Sequence, residues 1–167
     1  MFIEHIHHIM VRELEGMKRE ILAYQDEADI WRSVPGLPNT AGTIALHVSG
    51  CLQHFVGAQL GKSGFIRDRE AEFSRRALSA ADIVEDLDEA IGAVDATFAG
   101  LEEGAMNRPF PQEIAGVRPT AGEYLVHLVA HTAYHLGQID YHRRCVTGDS
   151  STAGVLSPRD LKSAATS

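Results

Sequence analysis

The stretch HLVAHTAYHLGQIDYHRR, residues 127–144, places four imidazoles, His127, His131, His135 and His142, within five helical turns. Leu125, Leu128, Thr132, His135, Ile139 and His142 follow heptad steps, so the stretch reads as one helix, and His131 lies one turn before His135 on the edge of the same face. A single core-directed histidine is most simply a packed, hydrogen-bonded residue. Two in register are harder to accommodate. Each neutral imidazole carries one donor and one acceptor, leaving such a group buried and unpaired costs about 1–3 kcal/mol, and helices use up their own backbone partners. A metal ion resolves the difficulty. Residues at i and i+4 lie about 6 Å apart, and both rings can turn to one ion at roughly 2.1 Å. Three rings at i, i+4 and i+8 span about 12 Å of axis and cannot converge.

This helix can therefore supply two ligands, and a third must come from elsewhere. His47 and His54 sit two turns apart on one stripe of an earlier helix and are both open to that role. Spacing also leaves His127 with His131 open beside His131 with His135. Other metal patterns fit less well. Ferritin-like sites need inward glutamates and Glu-x-x-His pairs, and the last helix has no such pair. HTAYH lacks the glutamate of a metalloprotease helix. Cys51 and Cys145 are too isolated for a zinc finger. In EHIHH, His5, His7 and His8 read as surface or helix-pairing residues.

Four helices are expected to position these groups. Apolar residues from Ile3 to Trp31 recur every three or four positions, which predicts one long amphipathic helix. Pro35, Gly36 and Pro38 stop it, and Asn39 or Thr40 can cap a second helix from about Ala41 to Leu60. Residues 61–77 form a long connection that can run the full length of a bundle, so the second and third helices need not be antiparallel. Ser79 with Asp82 opens the third helix, and Thr120 with Glu123 opens the fourth, which stops near Gly148. The sequence therefore predicts an all-α domain, a four-helix bundle over 1–148, followed by a loosely ordered tail over 149–167 that holds a short turn at SPRDLKSA.

The 167 residues suit one domain, and a 44% hydrophobic content suffices for a core. Two isolated thiols, with no signal peptide and no membrane-length apolar run, fit a reduced, cytoplasmic protein. A net charge of -8 argues against nucleic-acid binding.

Three segments, PGLPNTAGTIALHVSGCLQHFVGAQLG, GFIRDREAEFS and HLVAHTAYHLGQIDYHRR, together resemble the DinB/YfiT-like superfamily, with His131, His135 and the following Gly137-Gln138 the most specific part. The resemblance implies an up-down-down-up four-helix bundle, often a homodimer. It also implies a divalent metal, zinc or nickel, held by one histidine of the second helix and two of the fourth. On this sequence these are His47, His131 and His135, and His54 and His127 become outer or packing residues, with His54 close enough in register to stay a reserve ligand. Some members are thiol S-transferases that use bacillithiol, mycothiol or glutathione.

Three neutral ligands leave a coordination position open, the pattern of a catalytic site, where a water could act as nucleophile or a small thiol be held as thiolate. The chain thus reads as a divalent-metal-dependent enzyme acting on a small molecule, such as a thiol S-transferase or a hydrolase. The alternative is a non-catalytic metal-binding dimer with a stress-response or sensing role. Gln138, Tyr134 and Tyr141 are candidates to position a ligand. In the 61–77 connection, Arg67 or Arg69 could receive an anionic group, against the simpler reading of Arg67, Asp68, Arg69 and Glu72 as a solvated ion-pair network. Cys51 reads as a small core residue.

Overall fold

A computed structural model describes residues 2–154 and 157–163 of the chain. The described residues are helical, with six α-helices: α1 (Phe2–Leu22), α2 (Glu27–Ile30), α3 (Ala41–Leu52), α4 (Arg69–Ser74), α5 (Ala80–Ala99) and α6 (Ala121–Thr147). Gln53–Leu60 continues α3 with π-helical winding, so α3 and this extension form one of four long helical rods. Two isolated bridges, Pro109 with Thr120 and Ile114 with Val117, pin the loop before α6.

The ends are set by local chemistry. The Thr40 hydroxyl accepts from the N–H of Thr43 at the start of α3, and Asp68 accepts from Ala71 at the start of α4. Ser79 and Asp82 close a reciprocal capping box, so aspartate serves where glutamate is usual. Thr120 caps α6 through its hydroxyl. Gly148 ends α6 in the left-handed region at φ 70°, its N–H bonded to the Arg144 carbonyl, a conformation that favours a residue without Cβ.

Contacts between the long rods fix how they lie. His7 meets Asp95 and Lys18 meets Asp88, so α1 and α5 touch in opposite order. The Ser49 hydroxyl donates to the Asp86 carbonyl and that of Thr97 to the Val56 carbonyl, so α3 and α5 touch in the same order. Phe55 faces Tyr124 while His47 faces His131 and His135, so α3 and α6 touch in opposite order. The C-terminal ends of α1 and α6 meet through Glu20–Arg143 and Tyr24–His142. Met10, Leu14, Met17, Leu52, Leu87 and Leu125 are among the residues closing the shared core. Every residue of α3 is buried, because α5 and α6 flank it and α4 covers part of its remaining face.

Three sequence expectations change. The helix expected from Ile3 to Trp31 ends at Leu22, and α2 starts anew behind an Asp26 cap. The expected stripe crosses the break through Tyr24, Ala28 and Trp31, but in the structure Ala28 is exposed and Ile30, off that stripe, is buried, so apolar spacing alone could not reveal the break. The connection over 61–77 is not open chain throughout but folds α4 against α3. On α6 the buried stripe passes through Thr132 and Leu136, leaving His131 and His135 half-buried beside it. A straight helix repeats every 3.6 residues, and strict heptad counting drifts off the face. Of the tail expected at 149–167, residues 155, 156 and 164–167 lie outside the described ones. Its described part returns carbonyls of Ser150 and Ser151 to Arg144 and Arg143 and makes one 3-10 turn at Pro158–Asp160.

Candidate metal centre

The four histidines of α6 have three different fates. His142 is buried and fully partnered. Its Nε2–H donates to the Arg32 carbonyl at 2.8 Å, and its Nδ1 accepts from the Tyr24 hydroxyl at 2.7 Å. It is a core histidine of the simple kind. His127 is exposed and stacks on Tyr124 with ring centroids 5.6 Å apart. His131 and His135 turn inward toward His47, their ring centroids 5.4 and 5.2 Å from its ring and 4.4 Å from each other. One ring nitrogen of each of the three lies within 4.8 Å of the others, a group that could hold a metal ion. His54, the other candidate on the α3 rod, instead puts its Nε2 2.9 Å from Gln112 and stays outside the group.

The hydrogen bonds prepare the nitrogens. His47 turns Nδ1 to the Glu72 carboxylate at 3.0 Å, which leaves Nε2 for the other two rings. His135 turns Nδ1 to Gln138 Oε1 at 2.7 Å, again leaving Nε2 inward. Partners of this kind hold a metal-binding imidazole in one tautomer and one orientation. The Nε2 atoms of His131 and His135 face each other at 3.1 Å. Two such nitrogens need a proton or a cation between them. Tetrahedral coordination at about 2.0–2.1 Å sets neighbouring nitrogens roughly 3.3 Å apart, close to the separation seen. His131 Nδ1 is buried without a protein partner. The donor set therefore fits a divalent ion.

Electrostatics favour the neutral, ligating form of both α6 residues. Burial, with His135, His47 and His127 nearby, pushes the His131 pKa down to about 4. Burial also lowers that of His135, against the opposing pull of Gln138. Burial works against the Glu72 carboxylate, but hydrogen bonds from Arg67 and His47 outweigh it and hold its pKa below the ordinary value.

Other residues singled out in the sequence fall around this centre. Arg67 is not part of a solvated network: it grips buried Glu72 through Nε at 2.5 Å and Nη2 at 2.8 Å, with its guanidinium 5.7 Å from the Phe55 ring. Arg69 is exposed and lies over Phe73, and Asp68 caps α4. Tyr134 and Tyr141 are exposed, Tyr134 meeting the His135 ring edge-on. They border a cleft of about 370 Å³, walled also by Leu37, Pro38 and Ile44, that reaches Gln138. Cys51 is buried, and burial pushes its thiol up to about 11, which leaves it inert. Spacing alone could not pair Glu72 with His47, because the two lie 25 residues apart on separate elements. The short charged run was the only signal.

No helix of the described residues is long and apolar enough to cross a membrane. No curated protein and no solved structure matches the chain significantly. The family model of the DinB superfamily matches residues 2–139, a stretch that takes in α1 to α5, most of α6 and all three clustered histidines. With most of its length matched, the chain belongs to the DinB superfamily.

Proposed function

We propose that this protein is a divalent-metal-dependent enzyme acting on a small molecule, with His47, His131 and His135 as the ligands and zinc or nickel as the ion. The observation that carries the reading is the convergence of three imidazole nitrogens, with the outer hydrogen bonds of His47 and His135 made through Nδ1 so that Nε2 of each is left to the shared centre. Among the described residues, no carboxylate or thiol joins the group, which supports an open coordination position. An ion held there supplies a Lewis acid that lowers the pKa of a thiol or water beside it. Thiol S-transfer is the reaction we favour. With neutral ligands, and with Arg67 and Glu72 offsetting each other, the site keeps the ion's positive charge and favours an anionic thiolate. Gln138 links His135 to the apolar cleft, which can take the body of a substrate.

The order of helix contacts supports the up-down-down-up bundle implied by the family. The homodimer belongs to the same reading, supported by exposed Val126, Tyr134 and Tyr141 along α6, and sedimentation velocity checks it. Two free cysteines support a cytoplasmic location. The deciding experiment is elemental analysis of tag-free protein, followed by a thermal-shift screen of the metal-loaded form against low-molecular-weight thiols and electrophiles. Stoichiometric metal with thiol-dependent stabilisation supports the enzyme. Metal with no response to any thiol or electrophile favours the non-catalytic metal-binding module, and no metal refutes both.

A further inference from the structure

The crossover segment carries a device that acts on one ligand only. We infer that Glu72, clamped by Arg67, is a positioning residue that fixes His47 as its Nδ1–H tautomer and so keeps Nε2 free to ligate. The inference rests on the metal reading above.

The argument is one of counting. Glu72 accepts three hydrogen bonds: from Arg67 Nε at 2.5 Å, from Arg67 Nη2 at 2.8 Å and from His47 Nδ1 at 3.0 Å. Arg67 has donors only, so its Nη2, 3.3 Å from His47 Nδ1, competes for that nitrogen as a donor, but an unprotonated Nδ1 would then face the closer Glu72 oxygen at 3.0 Å lone pair to lone pair. The carboxylate can only accept and is the nearer of the two partners, so the geometry favours the His47 proton on Nδ1, with Arg67 Nη2 directed to Glu72 at 2.8 Å. The fork also stops Glu72 from turning away, since both of its oxygens are engaged. Room for the carboxylate comes from α3 itself. A Cβ on Gly50 would overlap Glu72 Oε1, so the glycine at this position lets α4 lay its acid on the helix that carries His47. The other two ligands have no clamped carboxylate: His135 is held by the neutral amide of Gln138, and His131 Nδ1 has no protein partner.

Glu72→Gln separates this role from packing, because it preserves shape and removes one acceptor. If the glutamine oxygen faces Arg67, its amide N–H₂ faces His47 Nδ1. That contact favours the reversed tautomer, with the proton on Nε2 where the ion must bind. Loss of such an outer partner typically weakens metal binding 10–100-fold. The test uses the full-length chain labelled with 15N. Long-range 1H–15N spectra of metal-free protein at pH 7.5 report the His47 tautomer, and chelator competition reports zinc affinity. The expected result is Nδ1–H for His47 in the wild type, Nε2–H gaining in E72Q, and a 10–100-fold rise in the zinc Kd. Arg67→Lys, which keeps the charge and loses the fork, should give a smaller rise in Kd. A wild-type His47 protonated on Nε2 overturns the inference, as does a folded E72Q with unchanged Kd and tautomer. Should E72Q not fold, the wild-type tautomer and Arg67→Lys decide. A wild type that takes up no zinc sinks the metal reading instead, and the tautomer still tests the positioning.

Discussion

Replacing His131 by leucine should stabilise the metal-free protein and destabilise the metal-loaded one. In the metal-free state, His131 holds a nitrogen, Nδ1, that is buried with no partner. Such an orphan costs about 1–3 kcal/mol. Its one hydrogen bond, Nε2 to Nε2 of His135 at 3.1 Å, returns about 0.5–1.5 kcal/mol. Leucine removes both, and the half-buried His135 ring must turn its Nε2 to water in place of that bond, so the net gain is at most about 1 kcal/mol, which for a chain of this size raises Tm by no more than roughly 2–4 °C. Metal acts in the opposite direction. At a hundredfold excess of zinc over Kd, binding stabilises the wild type by about 2.7 kcal/mol, or roughly 5–11 °C. His131→Leu lacks one of three ligands and should lose that gain. Two melting curves, one with chelator and one with zinc, therefore reverse the order of the two proteins. A variant that melts lower by the same amount in both conditions would show His131 to be an ordinary packed histidine. A variant that keeps the full zinc shift would remove His131 from the site.

Three further outcomes follow from the same structure. Metal-free stability should fall with acid. His131 titrates at about 4 in the fold against an unfolded value near 6.5, so its contribution is complete above pH 6.5 and is lost as pH drops from there toward 4. For a half-buried ring this amounts to about 1–2 kcal/mol after solvent screening, read by urea unfolding across that range. Glu20→Leu leaves the Arg143 guanidinium, 1% exposed, without its closest partner at 2.5 Å. It should cost about 3–5 kcal/mol, and adding Arg143→Met should recover most of the loss; equal losses in the single and double variants would refute this account. A thiol reagent at pH 8 should modify exposed Cys145 and spare Cys51, giving one reactive thiol in the native protein and two after denaturation.

The pattern of α6 shows how far a sequence carries. Helix geometry alone limits that helix to two ligands of one ion, and the capping residues Ser79, Thr120 and Gly148 mark helix ends that the structure keeps. These are local facts, fixed by dihedral preference and by side chains three or four positions apart. The choice of His47 over His54 was not local. It depended on the antiparallel contact of α3 with α6, which sets His47 opposite His131 and His135 and leaves His54 one end further on, beside Gln112. The break after Leu22 was hidden because apolar residue types, Tyr24, Ala28 and Trp31, keep the spacing across it, although the structure exposes Ala28 and buries Ile30 instead.

By itself, then, the sequence determined the all-helical composition, most helix ends and the presence of imidazoles turned to one face of α6. Spacing left open which imidazoles converge, the family resemblance named His47 with His131 and His135, and only tertiary structure decided what holds them. Glu72 reads in sequence as one charge in a solvent-exposed run, RDREAE. It becomes the buried partner of His47 only because α4 packs against α3 and Gly50 leaves space beneath it. Contacts between residues distant in the chain arise from how helices pack, and a pattern of neighbouring residues carries no record of that.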